Sequence, residues 1–299
     1  MNKSLTKFAW LSIATALVTI SLKTIAFLLT GSVGLLSDAL ESLVNLAAAV
    51  FALLMLKVAE APPDEEHLYG HSKAEYFASI LEGLFILIAA LGIGYTAIER
   101  ILHPKIIEQA FLGLSVSVLA TIVNFIVAFI LIKNGKKHHS ITVESDGHHL
   151  MTDVVTSIGV FIGVALVAIT HFQILDPIVA ILVALNIIFT GVSLMKKSVL
   201  GLLDSAISKE EINKIKIILK KHCKNGIDYH GLRTRQSARR RFVSFHVLVP
   251  GSWNVKKGHD LLEVIEKDIR DEIANVTVST HLEPIEDPVS NKDISIERE

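Results

Sequence analysis

The chain has 299 residues, 51% hydrophobic and 20% charged, with a mean hydropathy of +0.51, which is too apolar for a soluble globular protein. Its net charge of -1 gives no overall attraction to nucleic acid, and the single Cys223 can neither close a disulfide framework nor build a thiolate metal site within one chain. Disorder, a secreted disulfide scaffold and a cysteine-rich zinc module are therefore excluded.

Crossing the hydrocarbon core takes about 20 helical residues, because each rises about 1.5 Å across roughly 30 Å. Six stretches qualify: Phe8 to Leu29, Val33 to Leu56, Tyr76 to Ile98, Phe111 to Ile132, Val143 to Ile169 and Ile174 to Met195. The first lacks a small-residue cleavage site and is followed at once by more apolar sequence, so it reads as a span and not a cleaved leader. The loops near Thr30/Gly31 and from His171 to Gln173 are short and uncharged. Lys3, Lys7, Lys57, Lys73, Lys133, Lys136, Lys137, Lys196 and Lys197 all fall on the opposite side, which predicts cytoplasmic termini in a multi-pass cell-membrane protein.

Charge is unevenly spread, with 26 Asp, Glu, Lys and Arg in residues 1–200 and 33 in the remaining third. From Leu203 the pattern becomes that of a small α+β domain. An amphipathic stretch, Ser208 to Cys223, precedes strand-like runs Tyr229 to Gln236 and Phe242 to Pro250, joined by a basic turn from Ser237 to Arg241. A helix from Asn254 to about Ile273 follows, with Leu262, Ile265, Ile269 and Ile273 at helical spacing, and a strand Val276 to Glu283 closes the domain. The fold expected is an all-α six-helix transmembrane bundle (1–202), then a ferredoxin-like αββαβ unit (203–288), then a polar, loose tail (289–299).

The informative residues are the ionisable groups inside the spans, since a charge facing lipid costs several kcal/mol unless it lines a cavity or finds a partner. The second span reads Ser37-Asp38-Ala39-Leu40-Glu41-Ser42-Leu43-Val44-Asn45, and the fifth reads Ser145-Asp146-Gly147-His148-His149-Leu150-Met151-Thr152-Asp153. Both follow one pattern: Ser-Asp, two residues, Glu or His, three residues, Asn or Asp. Residues four apart lie one turn above each other on a helix, so Glu41 stands over Asn45 and His149 over Asp153. Four such donors on two facing helices would close a tetrahedral shell around a divalent transition metal, with the carboxylates neutralising its charge. The alternative, a hydrogen-bonded polar patch, leaves an acidic pair beside a histidine without the cation that is its natural partner. Asp38 and Asp146, three residues before each pair, orient the ligands or sit in water at the membrane edge.

The loop between spans two and three carries Asp64, His67 and His71, a carboxylate and two imidazoles within eight residues, which is either a surface metal site or a solvated polar loop. Glu65 and Glu66 add negative charge there. Glu82 lies about two turns into span three, with no partner evident from the sequence. In the last third, His230, His246, His259, His281 and Glu283 are spread over several elements, and strand alternation puts His281 and Glu283 on one face.

These motifs resemble those of the cation diffusion facilitator family, six-helix proton-coupled exporters of divalent transition metals with a cytoplasmic ferredoxin-like domain. The paired span-two and span-five motifs carry the resemblance. So do the loop Pro62-Pro63-Asp64-Glu65-Glu66-His67-Leu68-Tyr69-Gly70-His71-Ser72-Lys73-Ala74-Glu75 and the run Leu232-Arg233-Thr234-Arg235-Gln236-Ser237. It extends to about Pro288 and implies a transport site on Glu41, Asn45, His149 and Asp153 and a second site on Asp64, His67 and His71. It further implies a binuclear site at a dimer interface on His230, His246, His259, His281 and Glu283. The family's bacterial zinc and ferrous-iron exporters carry Asp at both span-two positions, whereas here these are Glu41 and Asn45. An amide in place of a carboxylate removes one charge and adds a harder oxygen, which moves the site toward manganese, iron or cobalt, while His149 argues against magnesium or calcium.

The reading is thus a homodimeric, proton-coupled antiporter in the lipid bilayer, not an enzyme and not a nucleic-acid binder, exporting Zn, Fe, Mn or Co. No HExxH motif is present to support a membrane metalloprotease. A passive channel would be insensitive to a proton gradient, and a membrane-anchored metal sensor would have no use for polar ligands at membrane depth.

Overall fold

The computed structural model describes the backbone over residues 5–30, 33–103, 111–170, 172 and 174–293. Within these, the side chains at 26, 27, 29, 30, 33–41, 44, 45, 111–117, 160, 161, 163–169, 176 and 291 lie outside the description. The chain divides into two compact units, Met1–Val199 and Leu200–Glu299.

The first unit is built of long helices: α1 (Thr6–Thr30), α2 (Val33–Glu60), α3 (Ala74–Leu102), α4 (Phe111–His138), α5 (Ile141–Thr170) and α6 (Leu175–Leu202). They cover the predicted apolar runs and mostly overshoot them, because polar ends remain helical. At the end of α2, Glu60 accepts the Leu5 N–H at 2.7 Å, and α4 continues through Lys136, Lys137 and His138, whose charge favours a helix C-terminus. Among the described residues, Thr6–Ile25, Ala74–Leu102, Val118–His138 and Pro177–Leu202 are long and apolar enough to cross a membrane.

These helices point large apolar side chains outward. Tyr95 is 73% and Phe189 76% exposed, with Leu91, Ile88, Phe129 and Leu185 also exposed, a surface compatible with acyl chains and not with water. Inside, Phe8, Ala9, Ile13, Ala49, Leu53, Leu56, Val127, Ala128, Leu131, Val143 and Leu150 form one core shared by α1, α2, α4 and α5. Ile86 and Ala90 of α3 pack against Ile187 and Leu194 of α6 in another. Close approach needs small residues. A Cβ on Gly135 would stand 2.5 Å from the Glu144 backbone nitrogen, and one on Gly147 2.8 Å from that of Ile132, so α4 and α5 touch nearly backbone to backbone. The Ser198 hydroxyl of α6 donates to that of Ser79 on α3 at 2.8 Å.

The second unit runs α7 (Lys209–His222), β1 (Asp228–Ser237), β2 (Arg240–Val249), α8 (Val255–Glu272) and β3 (Val276–Pro284). A capping box starts α7: Ser208 Oγ accepts the Glu211 N–H, and the Glu211 carboxylate accepts the Ser208 N–H. The sheet order is β1-β2-β3, with β1 antiparallel and β3 parallel to β2. Alternate β2 residues Val243, Phe245, Val247 and Val249 are buried with Ile215 and Leu219 of α7 and Ile265 and Ile269 of α8, each fully buried side chain contributing about 2 kcal/mol. The intervening residues Phe242, Ser244 and His246 face the other way.

Two expectations require correction. The basic turn between the strands is shorter than Ser237 to Arg241, since Arg240 and Arg241 already belong to β2. Arg241 is 3% exposed; it donates from Nε to Glu211 Oε1 at 3.0 Å and from Nη1 to the Ala238 carbonyl at 2.9 Å. An arginine assigned to the basic turn is a buried tie between α7 and the hairpin. The tail is also partly ordered, because Pro288–Asp293 forms a 3-10 turn that is pinned by Ser290 Oγ donating to the Pro284 carbonyl at 2.9 Å.

Candidate metal centres

In the loop between α2 and α3 one carboxylate divides its two oxygens between two imidazoles. Asp64 Oδ1 lies 3.1 Å from His67 Nδ1, and Oδ2 lies 3.2 Å from His71 Nε2. The loop folds this way because Oδ1 also accepts the backbone N–H groups of Glu66 and His67, at 3.1 and 2.6 Å, closing a local turn. Gly70, at φ 78, reverses the chain and returns His71 to the carboxylate. The rings of His67 and His71 lie 4.5 Å apart. Desolvation pushes the Asp64 carboxyl upward, but the His67 N–H and ring and the His71 charge hold it below its ordinary value.

The same device recurs in the second unit. Glu283 Oε2 is 2.8 Å from His230 Nε2, and Oε1 is 2.9 Å from His246 Nδ1. His281 Nε2 stands 3.6 Å from Oε1 and is exposed. Strand register produces the cluster: His230 pairs with His246 across β1 and β2, and His246 with His281 across β2 and β3. A bulge between His230 and Arg233 sets that end of β1. His259, exposed near the start of α8, is not among the residues gathered here, which are His230, His246 and Glu283.

In each trio the ligand atoms lie within 4.8 Å of one another. Donors at about 2.1 Å from a tetrahedral ion would be about 3.4 Å apart, and the carboxylate-to-imidazole separations of 2.8 to 3.2 Å within the trios lie close to that spacing. Two imidazoles and one carboxylate are borderline-soft ligands suited to a divalent transition ion.

In the helical unit, α5 carries His149, 5% exposed, with Asp153 one turn further on. α5 packs against α2, and Glu41 and Asn45 fall one turn apart on that helix, but their side chains, like that of Asp38, lie outside the described residues. Asp146, 4% exposed, is buried among the helices and accepts a hydrogen bond from Ser12 Oγ of α1 at 2.8 Å. Buried Glu82 of α3 lies close enough to interact with it electrostatically. Sequence reasoning found Glu82 but not this neighbour, since nothing in the order of residues says which side of α3 meets α5.

An apolar helical bundle with ionisable groups inside, joined to an α/β unit that gathers histidines around an acid, defines a membrane protein that handles metal cations. Residues 9–203 match the cation efflux transmembrane domain, and residues 207–285 match the cytoplasmic domain of cation efflux proteins. A protein of Synechocystis sp. described as an uncharacterized transporter is 49% identical over 95% of this chain and 91% of its own length. The cation-efflux pump FieF of Serratia proteamaculans is 30% identical over 91% and 90%. The metal-bound C-terminal domain of the CzcD transporter from Thermotoga maritima is 21% identical, covering 27% of this chain and 99% of that one, with a TM-score of 0.25. The chain belongs to the cation diffusion facilitator family: it is a multi-pass membrane cation efflux transporter with a cytoplasmic dimerisation domain.

Proposed function

We propose that the protein is a homodimeric antiporter that exports a divalent transition-metal ion from the cytoplasm in exchange for protons. Its transport site is Glu41 and Asn45 of α2 with His149 and Asp153 of α5, all six long helices span the bilayer, and both termini are cytoplasmic. The observation that carries this reading is the burial of the His149 imidazole inside the helical bundle, one turn from Asp153, on a helix packed against α2. An ionisable pair at that depth is costly unless it serves a permeant ion.

The quartet binds the ion when open to the cytoplasm, the bundle rocks, and the site opens outward. Imidazole and carboxylates bind either metal or protons, so metal entry displaces protons and an inward proton gradient resets the empty carrier. Asn45 contributes an amide oxygen and no charge, which favours Mn, Fe or Co over Zn relative to a site of three carboxylates and one imidazole without excluding Zn. The trios Asp64, His67, His71 and His230, His246, Glu283, the latter with His281 and His259, serve as cytoplasmic metal sites. Occupancy of the second stabilises one arrangement of the paired domains and couples cytoplasmic metal level to transport.

The test is metal uptake into proteoliposomes under an imposed pH gradient, with Zn²⁺, Mn²⁺, Fe²⁺ and Co²⁺ in competition. Saturable, gradient-dependent uptake supports the reading. Uptake that ignores the gradient and does not saturate describes a channel and rejects it.

A further inference from the structure

Glu82 is an acid without a counter-charge. It is 2% exposed, and among the described residues neither of its carboxylate oxygens has a hydrogen-bond partner. The charged group acting on it is another acid, Asp146 of α5. No described basic side chain takes that place. On α6 the residues that meet Gly83 and Ser79 of α3 are Gly191, Met195 and Ser198, and Lys197 is engaged with Glu144 at 2.8 Å. On α1 the nearby group is the Ser12 hydroxyl, which points at Asp146. The remaining ionisable groups of this part of α5 are His148, His149 and Asp153.

Two charged carboxylates buried within interaction range of each other repel, and burial leaves little water to screen them, so one of them must be neutral or a cation must lie between them. The hydrogen bonding separates the two roles. Asp146 accepts from a hydroxyl, which suits a charged carboxylate, whereas the hydroxyl nearest Glu82, that of Ser145, donates to the Thr142 carbonyl at 3.0 Å and leaves both Glu82 oxygens without a hydrogen bond among the described residues. We propose that Glu82 carries a proton, shared with Asp146, and that this pair is a proton site of the carrier distinct from the metal quartet. Asp146 lies three residues before His149 on α5, so a dication arriving at the quartet lies close to this proton and favours its release. The pair holds the coupled proton without giving up a metal ligand, and it links α3 and α1 to the helix that carries half of the transport site. This inference rests on the antiport reading for its role, but not for its existence.

The experiment is infrared spectroscopy of the full-length, metal-free protein in lipid at neutral pH, with ¹³C-glutamate labelling. A neutral carboxylic-acid carbonyl band that shifts with the glutamate label is expected in the wild type and is expected to vanish in Glu82→Gln. Absence of a glutamate band in the wild type, or its survival unchanged in Glu82→Gln, would overturn the proposal. Should that variant not fold, a hydrophobic carbodiimide, which adds to protonated carboxyls, must label Glu82 in wild-type protein, and an unlabelled Glu82 overturns it. Because no metal and no gradient enter the measurement, it is separable from the antiport test. Gradient-insensitive flux with the band present rejects antiport alone, and gradient-driven flux with the band absent rejects this site alone.

Discussion

Glu283 Oε2 stands 2.8 Å from His230 Nε2, across 53 residues of sequence and two strand boundaries. The opposite oxygen faces His246 at 2.9 Å, so one carboxylate, 5% exposed, holds two imidazoles in ligating positions. Replacing it by an amide of the same size keeps the packing and removes the anionic donor. Glu283→Gln is expected to weaken Zn²⁺ or Co²⁺ binding at this cluster by at least about tenfold, read by titration calorimetry on the full chain, with little change in the thermal unfolding of the metal-free protein.

The loop trio has the same logic with greater exposure. Asp64→Ala removes both imidazole contacts and the acceptor of two backbone N–H groups. The expected result is loss of metal binding at the loop together with faster amide exchange at Glu66 and His67. His67→Ala should lose the metal and keep the turn, which separates ligation from folding.

The Glu211 and Arg241 pair gives a pH prediction. Desolvation pushes the Glu211 carboxyl upward, but the Arg241 charge and hydrogen bond, with help from Ser208, hold it below its ordinary value of 4.5. A group whose folded value is depressed contributes its full stabilisation above the unfolded value and loses it as pH falls through the folded one. The cytoplasmic unit should therefore weaken in acid below about pH 4.5, and Glu211→Gln should remove that component while costing about 3 kcal/mol at neutral pH by leaving Arg241 buried without its partner. Trp253, with Lys257 Nζ 3.8 Å from its ring centroid, reports this unit's unfolding.

The α4 and α5 contact should tolerate no added methyl at its tightest point. A Cβ at Gly135 would meet backbone atoms of Glu144 at 2.5 and 2.7 Å, and backbone cannot swing aside. Gly135→Ala is expected to cost about 1–3 kcal/mol, whereas Gly92→Ala, whose Cβ would meet nothing within 4 Å, should be neutral or slightly stabilising. Thermal unfolding in detergent distinguishes the two.

What the sequence made legible was what lies close in the chain. Helix positions followed from apolar runs longer than the bilayer, and the trio at Asp64 was visible because its members fall within eight residues. The second trio was reached only through resemblance, because it depends on β2 and β3 pairing in parallel across the intervening α8. Arg241 was assigned to the turn for a related reason: a local basic run reads as a hairpin connection, and its partner Glu211 lies 30 residues earlier on another element. Glu82 stood out as an acid inside a span, yet its neighbour depends on the rotation of α3 against α5, which helical periodicity does not encode.

The central claim is that His149 and Asp153 grip the transported ion. It is tested most directly by metal flux into proteoliposomes under an inward proton gradient, comparing wild type with Asp153→Ala at equal reconstituted protein. The account predicts flux reduced to the level of empty liposomes, with metal binding at His230, His246 and Glu283 retained. Undiminished gradient-driven flux in Asp153→Ala would contradict it.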